Sequence, residues 1–169
     1  MFMSILMFGE PGVDILYPDP GFPIYRSMIE FTGANPVPVP IREENGFAFS
    51  AEETLKLITP RTRLLIVNSP ANPTGTLLTQ PEIGALAGFC RERNGHFLVD
   101  EIYHGLTYEV DAQSACAAGT DIWVINSFSK YFQRTGWRLG WMVVPEAYVR
   151  DVEKLAQNLT LCPSTPAQH

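Results

Sequence analysis

The chain has 169 residues, 46% of them hydrophobic and 18% charged, enough for one domain with a real core and unlike a disordered polyelectrolyte. A formal net charge of −6 argues against a general nucleic-acid binder, which would be basic. Cys90, Cys116 and Cys162 show no metal-ligand spacing and leave one cysteine unpaired, which suits a reducing cytoplasm.

The first eight residues, Met1 to Phe8, are apolar and lack a basic flank. They are too short for a signal or membrane-spanning helix and read as the tail of a helix. Gly9 to Asp14 is a turn. Ile15-Leu16-Tyr17 is a short strand stopped by Pro18-Asp19-Pro20-Gly21. Phe22 to Phe31 has helical apolar spacing, with Pro23 suited to a first turn and Gly33 as the stop. Pro36 to Pro40 is extended, and its prolines confine it to an edge or a connection. Ala51 to Ile58 is a helix in which Ser50 and Glu53 have capping-box spacing. Leu64 to Asn68 is a wholly apolar strand until its last residue, the pattern of a parallel sheet covered on both faces. Thr79 to Asn94 is a helix, with Gly95 at its C-terminal cap. His96 to Asp100 and Ile122 to Asn126 are further buried strands, and Leu139 to Val144 is another. The segment from Gly105 to Thr120 is the least patterned and reads as a surface loop. Pro145 opens a last amphipathic helix that runs to about Leu161. Strands alternating with helices predict an α/β fold, three layers around a mostly parallel sheet, with no internal repeat.

In such sheets ligand groups gather beyond the carboxyl ends of the strands. Asn72 follows one strand, Asp100 ends a second and Ser127 ends a third. Asp100 reads either as a cap or turn carboxylate or as a buried anion in need of a partner. Tyr103, three residues on, reads as a boundary tyrosine or a site phenol. Phe22 fits a core position as well as a ring-stacking one. The segment Ser127-Phe128-Ser129-Lys130 ends a strand, and Gly136-Trp137-Arg138-Leu139-Gly140 follows it closely. A lone lysine is normally solvated. One beside a strand end with neighbouring hydroxyls and an arginine has the makings of an amine nucleophile next to a phosphate seat, where desolvation would favour the neutral amine. Arg134 reads as structural or surface, and His96, His104 and His169 as packed or solvated side chains.

Ser-Phe-Ser-Lys followed by Gly-Trp-Arg-Leu-Gly resembles the cofactor-lysine segment of the pyridoxal-phosphate (PLP) aminotransferases of fold type I, the aspartate aminotransferase superfamily. Asn72-Pro73-Thr74-Gly75, the Asp100-to-Tyr103 segment and Pro18 to Tyr25 resemble three more of that family's motifs, in its order. The resemblance implies a Schiff base between PLP and Lys130, whose freed amine then acts as the catalytic base. It implies Asp100 against the pyridine nitrogen, with Tyr103 and Asn72 at the phenolic oxygen. It places Phe22 on the ring face, and Ser127, Arg138 and less firmly Ser129 at the phosphate. The implied reaction is amino-group transfer between an amino acid and a 2-oxo acid, in a cytoplasmic homodimer with no nucleic-acid or membrane partner. Family members are longer. The resemblance therefore makes residues 1–169 a partial large domain, lacking the upstream phosphate loop and the C-terminal small domain, with weak or no activity of its own. Other fold-type-I chemistries (β-elimination, decarboxylation), a ligand-sensing domain of a transcription regulator and an inert scaffold remain open alternatives.

Overall fold

The computed structural model describes all residues, 1–169. Six strands form one sheet: β1 Asp14–Asp19, β2 Asn35–Pro40, β3 Thr62–Asn68, β4 His96–Asp100, β5 Trp123–Ser127 and β6 Gly140–Val143. Their order is β2-β1-β3-β4-β5-β6. Every neighbouring pair is parallel except β5–β6, which is antiparallel. The helices are α1 Phe2–Phe8, α2 Ile24–Thr32, α3 Ala51–Leu57, α4 Gln80–Glu92, α5 Val149–Leu159 and α6 Thr165–Gln168. None is long and apolar enough to cross a membrane.

The apolar strands explain the layering. Successive side chains leave a strand on opposite faces, so a strand apolar at every position must be covered twice. Leu65, Val67, Phe97, Val99 and Val124 pack on one face with Ile83, Leu86 and Cys90 of α4. Leu64, Ile66, Leu98, Trp123 and Ile125 pack on the other with Ile5 of α1 and Tyr25 and Ile29 of α2. Each such aliphatic side chain taken out of water contributes about 1.5–3 kcal/mol before entropy is counted. The α/β/α arrangement predicted from the sequence is the one formed.

At one edge, Asn35 and Ile41 donate their amides to Val13 and Asp19 at either end of the β1–β2 pairing. With a period of two, Pro36, Pro38 and Pro40 then face away from β1, where the amide they lack has no partner to miss. The run of prolines is therefore an edge strand, paired along one side only. β6 lies at the other edge, with Trp141 and Val143 partly exposed.

Several boundaries differ from the sequence reading. The second helix starts at Ile24, because Pro23 is its N-cap residue; Phe22 is left in the preceding turn and 40% exposed. Gly33, at φ +81, closes that helix in the left-handed conformation that glycine adopts freely. After α4 the left-handed residue is Asn94, at φ +55, while Gly95 only donates its amide to Cys90. Ser50 accepts from the Glu53 amide at 3.2 Å, but the complete capping box is the one at Thr79 and Glu82. A 3-10 turn, Glu146–Tyr148, precedes α5. The 105–120 segment is irregular apart from a short 3-10 turn at Ala115–Ala117, as its weak pattern implied.

The amino ends of the strands are tied by Asp14, which is 1% exposed. Its carboxylate accepts from Asn35 Nδ2 at 2.8 Å, Thr59 Oγ1 at 2.6 Å and Arg61 Nε at 3.4 Å. Burial alone would raise its pKa, but the Thr59 and Asn35 hydrogen bonds and the Arg61 guanidinium outweigh it and hold the group below the ordinary 3.8. A carboxyl depressed on folding stabilises the fold above its unfolded pKa, and that contribution is lost as pH falls through the folded value. Asp14→Ala should cost about 1–3 kcal/mol in urea unfolding at pH 7. The variant should also lose less stability than the parent as pH drops below 3.8. Equal unfolding energies at pH 7 would show that the cluster does not hold the strands.

Candidate active site

The carboxyl ends of β3, β4 and β5 lie side by side. Asn68 is in register with Asp100, and Asp100 with Ile125. The backbone continues across this edge: Ser69 N donates to Asp100 O at 3.1 Å and Glu101 N to Ile125 O at 2.9 Å. Asn68 bridges the strands with its side chain. Its Nδ2 donates to Asp100 O at 2.8 Å, and its Oδ1 accepts the Asn72 amide at 2.6 Å. Asn72 is thereby fixed beside the end of β4. The peptide bonds before Pro20, Pro70 and Pro73, all close to this edge, are cis.

Asp100 is 6% exposed. Tyr25 Oη donates to its Oδ2 at 2.7 Å, and the Ile102 amide to its Oδ1 at 3.1 Å. Neither partner is a cation. Burial pushes the carboxyl above its ordinary range despite the opposing pull of Tyr25, the Ile102 amide and the nearby Met1 amino group. Tyr25 is fully buried, and burial together with the Asp100 charge pushes its phenol far above the usual value, so it holds its proton. Phe22, three residues earlier, stands edge-on to Tyr25 with ring centres 5.7 Å apart. One turn thus delivers an exposed aromatic to the strand edge and a phenol to the carboxylate beneath it.

The chain leaves β5 at Ser127, whose Oγ accepts the Ser129 amide at 3.1 Å. Thr135 Oγ1 donates to Ser129 O at 2.6 Å, and Arg138 Nη1 to Thr135 O at 3.0 Å. This relay folds the arginine segment back onto the serine segment. Lys130 is exposed, and its Nζ lies 5.6 Å from the centre of the Tyr103 ring. The sequence reading put this lysine in a desolvated position; the turn instead carries it past the end of β5 into the open. Gly105, at φ +87, lets the Tyr131 ring press on the backbone where a Cβ would come within 2.5 Å. The loop after Tyr103 and the turn at Lys130 are thereby packed together. Arg134 stacks over Trp137 at 5.4 Å, a surface role.

Asn72 and Tyr103 line a common open cleft of about 500 Å³, which Leu106, Thr107 and Tyr108 also line. The adjacent carboxylates Asp100 and Glu101 part company. Glu101 turns away and accepts from Ser114 Oγ and, at 2.6 Å, from the Ala115 amide. It anchors the loop and leaves the strand edge to Asp100. His96 stacks on Phe8 at 4.1 Å and reaches Tyr148 Oη at 3.3 Å. His104 lies 3.6 Å from Glu101.

Two residues at this edge went unassigned in the sequence reading. Asn68 had a visible signal, a polar residue closing an apolar strand. Tyr25 had only its spacing, three residues after Phe22 on the helix face turned to the sheet. A tyrosine among isoleucines looks like packing until its hydroxyl is located.

The comparisons with known proteins fit this geometry. The family model described as aminotransferase class I and II matches residues 2–169. The valine–pyruvate aminotransferase of Mycobacterium tuberculosis is 38% identical over 168 residues, covering 98% of this chain and 43% of that protein. Aromatic-amino-acid aminotransferase 2 of Thermococcus litoralis is 35% identical over 99% of this chain and 44% of its own length. The solved structure of Thermus thermophilus aspartate aminotransferase with maleate superposes with a TM-score of 0.93 at 32% identity, covering 99% of this chain and 44% of that one. The chain spans under half the length of these relatives. With its strand order, its strand-end residues and a family match running nearly end to end, the chain belongs to the class I and II aminotransferases.

Proposed function

We propose that residues 1–169 form cofactor-binding structure of the large domain of a PLP-dependent aminotransferase, acting on an amino acid and a 2-oxo acid in a cytoplasmic homodimer. The observation that carries this reading is the buried Asp100 carboxylate at a strand end, hydrogen-bonded by a phenol and an amide, neither of them a cation. Such an anion is costly unless a positive partner meets it. The named relatives are aminotransferases, which gives the lyase, decarboxylase and regulator readings no support. Large exposed apolar side chains such as Phe31 and Leu161, 71% and 81% exposed, are consistent with a partner subunit.

The donor set fits PLP. Asp100 would face the ring nitrogen, Tyr103 and Asn72 the phenolic oxygen, and Phe22 the ring plane. Ser127, Ser129 and Arg138 would take the phosphate; a guanidinium and hydroxyls are the groups that bind such a dianion. Lys130 would hold the aldehyde carbon. When bound, PLP supplies the electron sink that lets an amino acid lose its α-proton. The chain's own residues do the rest. Asp100 would favour a protonated ring nitrogen, because a nearby anion favours the cationic form. The hydroxyl of Tyr103 and the amide of Asn72 would hydrogen-bond the phenolic oxygen. The Lys130 amine would hold the group and, when neutral, would be the base that takes the proton from a substrate α-carbon. The 5.6 Å spacing between Lys130 Nζ and the Tyr103 ring supports a shared site for these two side chains.

Added PLP should give the protein a visible absorbance band that borohydride traps as a covalent adduct. Peptide mass spectrometry should place the adduct on Lys130. A chain without the band, or a Lys130→Ala variant that keeps it unchanged, would remove the basis for this function. Asp100→Asn makes a second, opposite pair of predictions. Because burial raises the Asp100 pKa above 3.8, its contribution to stability is complete below that pH and is lost as pH rises through the folded value. At pH 7 the charged group therefore weighs against folding. Asp100→Asn should melt at the same temperature as the parent or higher, while PLP affinity falls on the order of a hundredfold. A lower melting temperature with unchanged affinity would make Asp100 a structural residue.

A further inference from the structure

We propose that Tyr25 is a positioning residue for this site: its buried hydroxyl holds Asp100 Oδ2 and turns the carboxylate to meet a protonated ring nitrogen. The proposal rests on the reading of Asp100 as the ring's partner and adds the residue that sets its charge and aim. Tyr25 sits in an apolar layer with Ile5, Ile15 and Ile29, each 0% exposed. A hydroxyl there is unfavourable unless paired, and phenylalanine would fill the same volume. The 2.7 Å contact with Asp100 has the length of a charge-assisted bond between a hydroxyl and a carboxylate.

The choice of tyrosine matters. A lysine or arginine at this place would neutralise Asp100 and compete with an incoming cation. The Tyr25 phenol holds its proton, so it donates without bringing a charge. Asp100 is fixed from two directions, by α2 at Oδ2 and by the turn after β4 at Oδ1. Two donors from different elements set the plane of the carboxylate and leave its remaining lone pairs for the ligand. Because Phe22, three residues earlier in the turn before α2, packs edge-on against Tyr25, the same hydroxyl also ties the candidate ring-stacking aromatic to β4. The titratable groups around Asp100 are Tyr25 from α2, Tyr103 beyond β4 and the Met1 amino group ahead of α1.

The test uses the whole chain and Tyr25→Phe. Carbon NMR of the Asp100 carboxyl, in unliganded protein, should show its titration midpoint rising by about one pH unit or more once the donor is gone. PLP should bind about tenfold or more weakly to the variant, while the covalent adduct still forms on Lys130 at saturation. An unchanged Asp100 midpoint, or an affinity within twofold of the parent, overturns the proposal. In the parent, the Tyr25 Cζ resonance should shift with the Asp100 midpoint. A Tyr25 signal indifferent to that titration overturns it as well, even if the variant does not fold. If the parent forms no Lys130 adduct, the functional reading fails by itself, and the two NMR titrations still decide whether Tyr25 governs Asp100.

Discussion

A carboxyl group at the end of a buried strand is the constraint around which this molecule is arranged. Asp100 lies where water is largely excluded, and its two protein partners lower the cost of the charge without cancelling it. The consequences spread outward. Tyr25 must reach it from α2, which fixes how that helix sits on the sheet. Asn68 must bridge to the Asp100 carbonyl, which keeps the ends of β3 and β4 level. Glu101 must turn the other way, which pins the loop from Tyr103 to Ser114. The energetic tension is local, and the apolar layers on both faces of the sheet supply the stability that tolerates it.

The two ends of the strands use acids in opposite ways. Asp14, at the amino end, is surrounded by three donors, one of them a guanidinium, and its pKa is held down. Asp100, at the carboxyl end, has two neutral donors and a raised pKa. The first carboxylate is satisfied within the fold and serves it. The second is buried with neutral donors alone, the less settled environment of the two.

Much of this was legible in the residues. Apolar runs such as Leu64 to Val67 and Phe97 to Val99 can only be strands covered twice, so the layered sheet followed from them. The prolines at 36, 38 and 40 announced an edge. The motif around Lys130 and the strand-end Asp100 pointed to a family, and the family model agrees. Other features were hidden for physical reasons. Whether Phe22 belongs to the helix depends on Pro23 acting as a cap, which a pattern of apolar spacing does not reveal. The exposure of Lys130 depends on the turn from Ser127 to Arg138, built from side-chain-to-backbone bonds that have no sequence period. Tyr25 was the hardest, because a polar atom on an otherwise apolar side chain discloses its purpose only through its partner across the sheet.

The proline edge has a consequence for how copies of the chain can meet. Along the outer side of β2 an approaching strand would find carbonyls but no amides at three alternate positions, so a ladder cannot form there. Strand-to-strand association is thus barred along that flank of the sheet.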